Sequence, residues 1–111
     1  MSFERAVQAL RVGDDFEAEK QLRRIANANN DGDGDGSAEF SLGLLLGRQT
    51  RFEEAVEWLD RAVQLKTDPI QRGLCRQVLS DCLARIPGRE DEAHRVKLIV
   101  TEERKELLLN K

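Results

Sequence analysis

Apolar positions along the 111-residue chain fall into six runs with the spacing of helices. The clearest two lie between Ser37 and Pro69. The first of these carries Phe40, Leu42, Leu44, Leu45 and Leu46, apolar nearly all round, as suits a helix packed between several neighbours. The second carries Phe52, Ala55, Val56, Leu59, Ala62 and Val63 at the i, i+3, i+4, i+7 spacing of one buried face. Between them Thr50 and Glu53 stand at the spacing of a capping box, which predicts that the Thr50 hydroxyl closes the start of the second helix.

The flanking segments read in the same way. Ser2 is placed to cap a short helix in which Phe3, Val7 and Leu10 share a face, and Gly13 ends it. Asp14 and Glu17, again at capping-box spacing, open a second helix to about Ala28 that buries Ala18, Leu22, Ile25 and Ala26. Asp68-Pro69, a cap followed by proline at the first helical position, opens a fifth helix. Its broad stripe is Leu74, Cys75, Val78, Leu79, Cys82, Leu83 and Ile86, and Pro87-Gly88 stops it. The last runs from about Glu90 towards Leu108 with Ala93, Val96, Ile99, Val100 and Leu107 inward. The β-branched residues of Val96 to Thr101 leave a short strand as an alternative there.

These segments repeat one another. GDDFEAEKQL from Gly13, TRFEEAVEWL from Thr50 and GREDEAHRVK from Gly88 place Ala18, Ala55 and Ala93 in corresponding positions. In the middle unit, Leu42-Gly43, Leu46, Phe52-x-x-Ala55, Leu59 and Ala62 resemble a tetratricopeptide repeat, in which small residues sit where helices cross and large ones fill the gaps. Phe40 stands one residue later than that family's first aromatic, Pro69 about two residues late, and the first unit lacks one residue between Phe16 and Ala18. The steps between alanines also exceed the ~34 residues usual in the family. The resemblance implies an all-α fold of three antiparallel helix pairs, about 2–28, 37–66 and 69–108, stacked as a short right-handed superhelix. The whole of 1–111 is then a single domain with a flexible acidic loop at 29–36.

The same resemblance implies a noncatalytic protein-interaction module, a scaffold or adaptor, holding a peptide or protein segment in a concave groove. The family lines that groove with the ends of its first helices. Here those ends carry Arg11, Arg48 and Arg85 in a regular ladder, and Phe40, Leu44, Gln77 and Asp81 complete the expected surface. Such a ladder suits an acidic segment or a terminal carboxylate. The plainer reading is that each arginine complements the negative end of a helix dipole. Phe40, Ser41 and Leu44 occupy places where chaperone-tail-binding members carry asparagine or lysine, which argues against that particular specificity.

Charge narrows the partners. Eighteen basic against twenty-one acidic residues give a net charge of −3, which argues against nucleic acid, whose binding rests on neutralising phosphates. Thirteen of the basic residues are arginine, the side chain suited to forked bonding with carboxylates, so an acidic protein partner stays in view. No apolar run reaches the length of a membrane span and the first residues do not read as a secretory signal, so no membrane insertion and a cytoplasmic location are expected.

Chemistry is sparse. Asp31, Asp33, Asp35 and Gly36 match the opening of a calcium loop, but the place of its bidentate glutamate falls on Leu42. This gives a second reading, a calcium-responsive helical protein with Ca²⁺ as its one suggested cofactor, against a solvated linker whose acids favour the next helix N-terminus. Cys75 and Cys82, about two helical turns apart, are too distant for a disulfide and read as buried thiols. Ser37, Ser41 and Ser80 have no recognisable base, His94 no readable partner, and GDGDG lacks the lysine of a phosphate loop, so no enzyme is expected. Trp58 adjoins a buried face and reads as packing. Leu107-Leu108-Leu109 either folds back on the last pair or packs against another chain, which makes a homo-oligomeric structural protein a third reading.

Overall fold

The computed structural model describes residues 3–28 and 34–109, and among these every regular element is an α-helix. They are α1 (Phe3–Arg11), α2 (Asp15–Ala28), α3 (Ser37–Arg48), α4 (Phe52–Leu65), α5 (Pro69–Ala84) and α6 (Glu90–Leu109). Each packs against its neighbours in sequence, and α3 also touches α5. The strand alternative at Val96 to Thr101 is overturned, because the whole stretch continues α6.

The turns between paired helices carry the repeat most plainly. Gly13, Thr50 and Gly88 all adopt left-handed backbone, with φ of 79°, 63° and 90°. In the first two turns the same bonds recur one repeat apart: Gly13 N donates to Leu10 O and Asp14 N to Ala9 O, then Thr50 N to Gly47 O and Arg51 N to Leu46 O. A left-handed residue lets the chain reverse while the last carbonyls of the first helix find donors. Thr50 therefore does not cap α4 as the sequence suggests. Arg51 precedes that helix without a side-chain cap, and the Thr50 hydroxyl donates to Gln49 O at 2.5 Å. Of the other three caps, Ser2 lies outside the described residues, and two form as read: Asp14 Oδ1 accepts from Glu17 N at 3.1 Å and Asp68 Oδ1 from Ile70 N at 3.3 Å.

Small residues recur at one buried register of the first helix of each pair. Ala6, Gly43 and Ser80 are all buried at matching places. At Gly43 a Cβ would lie 2.5 Å from Leu59 Cγ, so only glycine lets α3 and α4 approach this closely. Leu22, Leu42, Leu46, Leu59 and Leu83 fill the fully buried core around these positions. Trp58 packs against that core, and the Arg61 guanidinium lies 4.7 Å above its ring. Cys75 and Cys82 are buried free thiols, and burial pushes both thiols up in pKa.

Three side chains read as inward, Leu74, Ile99 and Leu107, stand open instead, and so do other large apolar residues. Phe16 is 81% exposed, because the missing residue before Ala18 turns it ~100° away from the place that Phe52 holds. Leu74 and Ile99 lie largely open rather than inward, and Leu107 is exposed at the edge of a shallow groove between α5 and α6. Leu108 and Leu109 do not fold back; they are 66% and 82% exposed. The stripe of α6 that does pack inward is Ala93, Val96 and Val100.

Polar contacts join the units. Across the first boundary Arg51 donates to Glu19 at 2.8 Å and Arg23 to Glu54 at 3.0 Å, and within the units Arg51 also donates to Glu54 at 2.9 Å and Arg23 to Glu19 at 2.9 Å. Burial pushes the Glu19 carboxyl up, but the bonds from Arg51 and Arg23 outweigh it and hold its pKa below the ordinary range. Within the last pair Arg76 donates to Glu103 at 2.6 Å. One repeat earlier Glu39 stands at the place of Arg76 and Leu65 at that of Glu103. Glu39 is fully buried, and neither carboxyl oxygen has a hydrogen-bond partner.

Candidate functional site

The second and third units share a cleft of about 340 Å³. Its wall on α3 is Gly43, Leu44, Gly47 and Arg48; Thr50 and Phe52 follow from the turn and the start of α4; Val78, Asp81, Cys82 and Arg85 face them from α5 and its end. Helical periodicity explains the set. Leu44 and Arg48 are one turn apart on α3, as are Asp81 and Arg85 at the corresponding places of the next unit, so stacking the units brings two equivalent stripes side by side.

The chemistry is an apolar base under mixed charge. Leu44, Phe52 and Val78 supply the apolar surface, and Gly47 keeps the wall low. The Arg85 guanidinium sits 5.7 Å from the centre of the Phe52 ring, within reach of a cation–π contact. Arg48 donates to Asp15 at 2.8 Å, a largely exposed pair that reaches across to the first unit. Asp81 accepts from the Gln77 amide at 3.4 Å. Both arginines keep exposed positions from which a carboxylate could compete, since exposed ion pairs hold their partners weakly.

Four of the seven groove residues expected from the sequence, Leu44, Arg48, Asp81 and Arg85, line this cleft together. Gln77 sits one turn back, attached to Asp81. Phe40 does not line it; it is half-buried against the core. Arg11 is exposed in the last turn of α1 and is not in the cleft either, which lies between the later units. Phe52, Thr50 and Val78 are not legible in the sequence as site residues. Phe52 reads there as the first member of a buried stripe, and only the stacking of α5 beside α4 shows that its ring borders open space.

The calcium motif falls mostly out of view: Asp31 and Asp33 lie outside the described residues. Asp35 is described, and its Oδ1 accepts from Ser37 N at 2.9 Å at the start of α3. That bond from the Ser37 backbone holds the Asp35 carboxyl below the ordinary range. Among the described residues no group of three or more His, Cys, Asp or Glu is arranged to hold a metal. None of their helices is long and apolar enough to cross a membrane. Compared with family models, with curated proteins and with solved structures, the chain finds no match.

Proposed function

We propose that this protein is a noncatalytic interaction module, resembling tetratricopeptide-repeat scaffolds, whose units stack as a short right-handed superhelix. It holds an extended acidic segment of another protein in the cleft between its second and third units. One observation carries the reading: the cleft sets Arg48 and Arg85 at the edges of an apolar base made by Leu44, Phe52 and Val78. An aliphatic or aromatic side chain of the partner would cover Phe52, and neighbouring carboxylates would meet the two guanidiniums, which favour forked bonding. The repeated left-handed turns and the recurring buried small residues add support, since both are what stacked helix pairs need.

A phage-displayed peptide library selected on the wild-type protein and counter-selected on the Arg48→Glu, Arg85→Glu double variant tests this. Support would be enriched peptides that pair acidic with large apolar residues, bind the wild type in fluorescence anisotropy, and weaken at least about tenfold on the variant, roughly 1.4 kcal/mol. Peptides that bind both proteins equally, or no enrichment, would remove the cleft from the proposal. The calcium reading is tested separately by melting with and without the ion, since a ligand held only by the folded state raises Tm.

A further inference from the structure

We propose that α6 pairs with α6 of a second copy of this chain, antiparallel, about a two-fold axis passing between Glu103 and Arg104. The observation is a self-complementary order in residues 98–109, Leu-Ile-Val-Thr-Glu-Glu-Arg-Lys-Glu-Leu-Leu-Leu. Reversed upon itself, the segment sets three apolar residues against three apolar residues and two acids against two bases. Leu98 falls opposite Leu109, and Glu102 opposite Lys105. An isologous contact requires this, because each residue i that meets j is matched by a j that meets i.

The helix puts the matching residues on one face. Leu98, Glu102, Lys105 and Leu109 follow one another at steps of four, three and four, the spacing of a seam between two helices. The seam spans about 16 Å of helix. It lies on the opposite side of α6 from Val100, whose side chain is buried in the fold. All four seam residues are open to solvent in the single chain: Leu98 is 50% exposed and Leu109 82%, while Glu102 and Lys105 keep 70% and 66% of their side-chain surface. Ile99 and Leu108, both largely exposed, widen the seam on its two sides. Within one chain Lys105 reaches Glu102 only loosely, at 3.8 Å.

A foreign partner would need apolar ends and a charged middle, but nothing in it would require this segment to be its own complement. A second copy does require it. The pairing buries the Leu98 and Leu109 side chains of both chains and exchanges the two loose Glu102–Lys105 contacts within chains for two between them. The cleft between α3 and α5 involves none of these residues, so a dimer would present two such clefts.

Charge reversal tests the pairing without disturbing the fold, since the altered residues are exposed. Sedimentation velocity from about 10 µM to about 1 mM, a range suited to a small interface, should show the wild type rising from its 12.6 kDa monomer to twice that mass. Glu102→Lys alone sets lysine against lysine and should weaken association at least tenfold; Lys105→Glu alone should do the same with two acids. Two results identify the axis: the double variant Glu102→Lys, Lys105→Glu recovers association, and an equimolar mixture of the two single variants forms a heterodimer. A wild type that stays monomeric throughout, a dimer indifferent to both single reversals, or a double variant no better than the singles would each overturn the proposal.

Discussion

Thr50 is the place where the chain departs from its own rule, and replacing it with glycine should stabilise the fold. Its two counterparts, Gly13 and Gly88, hold the same left-handed backbone, whereas Thr50 holds it with a β-branched side chain at φ 63°. An L-residue in this region costs about 1–2 kcal/mol. Glycine forfeits about 0.5–1 kcal/mol of that through the extra freedom it loses on folding. The Thr50 hydroxyl bond to Gln49 O is exposed and contributes about 0.5 kcal/mol at most. The net gain for Thr50→Gly is then about 0.5 kcal/mol, or about 2–3 °C in Tm for a domain of this size. Urea melts at constant m-value would measure it. The reciprocal changes supply the control. At Gly13 and Gly88 an added Cβ meets nothing within 4 Å, so Gly13→Ala and Gly88→Ala test backbone conformation alone and should each lose about 1 kcal/mol. Thr50→Gly proving neutral or harmful, or both alanine variants leaving stability unchanged, would refute the claim that the left-handed backbone at these three positions favours glycine.

Three further outcomes follow from the packing. Gly43→Ala forces a methyl group to within 2.5 Å of Leu59 Cγ and should cost about 1–3 kcal/mol in chemical denaturation, partly recovered by Leu59→Val in the same chain. Glu39→Met replaces a fully buried carboxyl with two unbonded oxygens by an apolar side chain of similar length, and should raise stability by about 1–3 kcal/mol in the same assay; a loss would mean the carboxyl has a role in the fold. Glu19 and Glu54 have folded-state pKa values below the ordinary 4.5, Glu54 through its bond from Arg51 above all. As pH falls the unfolded chain takes up these protons first, so their contribution is complete above about pH 4.5 and is lost as pH drops through the folded values. Glu19→Gln with Glu54→Gln should lower stability at neutral pH and flatten its decline below pH 4.5, and an unchanged acid slope would count against the network.

The six helices, their pairing and most of the core are read directly from the order of residues. Each rests on local physics: apolar spacing marks Phe52 to Val63 as one buried face, Asp14 and Asp68 close backbone donors within three residues, and glycine marks two of the three reversals. Where a local signal fits two geometries it fails. Thr50 with Glu53 has the letters of a capping box, yet the turn needs a left-handed residue two places before the helix, and the backbone bonds from Thr50 to Gly47 and from Arg51 to Leu46 fix it there. A single missing residue before Ala18 shifts Phe16 to the open side, an outcome that periodicity contains but that alignment by resemblance hides.

What only tertiary structure decided is which exposed surfaces face one another. Leu44 and Arg48 lie 37 residues from Asp81 and Arg85, and no local rule says whether their helices stand near enough to enclose a cleft; the packing of α3 beside α5 does. The same packing leaves Phe40 against the core and Arg11 outside, although the sequence places all of them in equivalent registers. Helical spacing is a property of one segment, fixed by bonds four residues apart. A cleft belongs to the relative placement of segments, which the chain settles only when side chains from all of them compete to leave water.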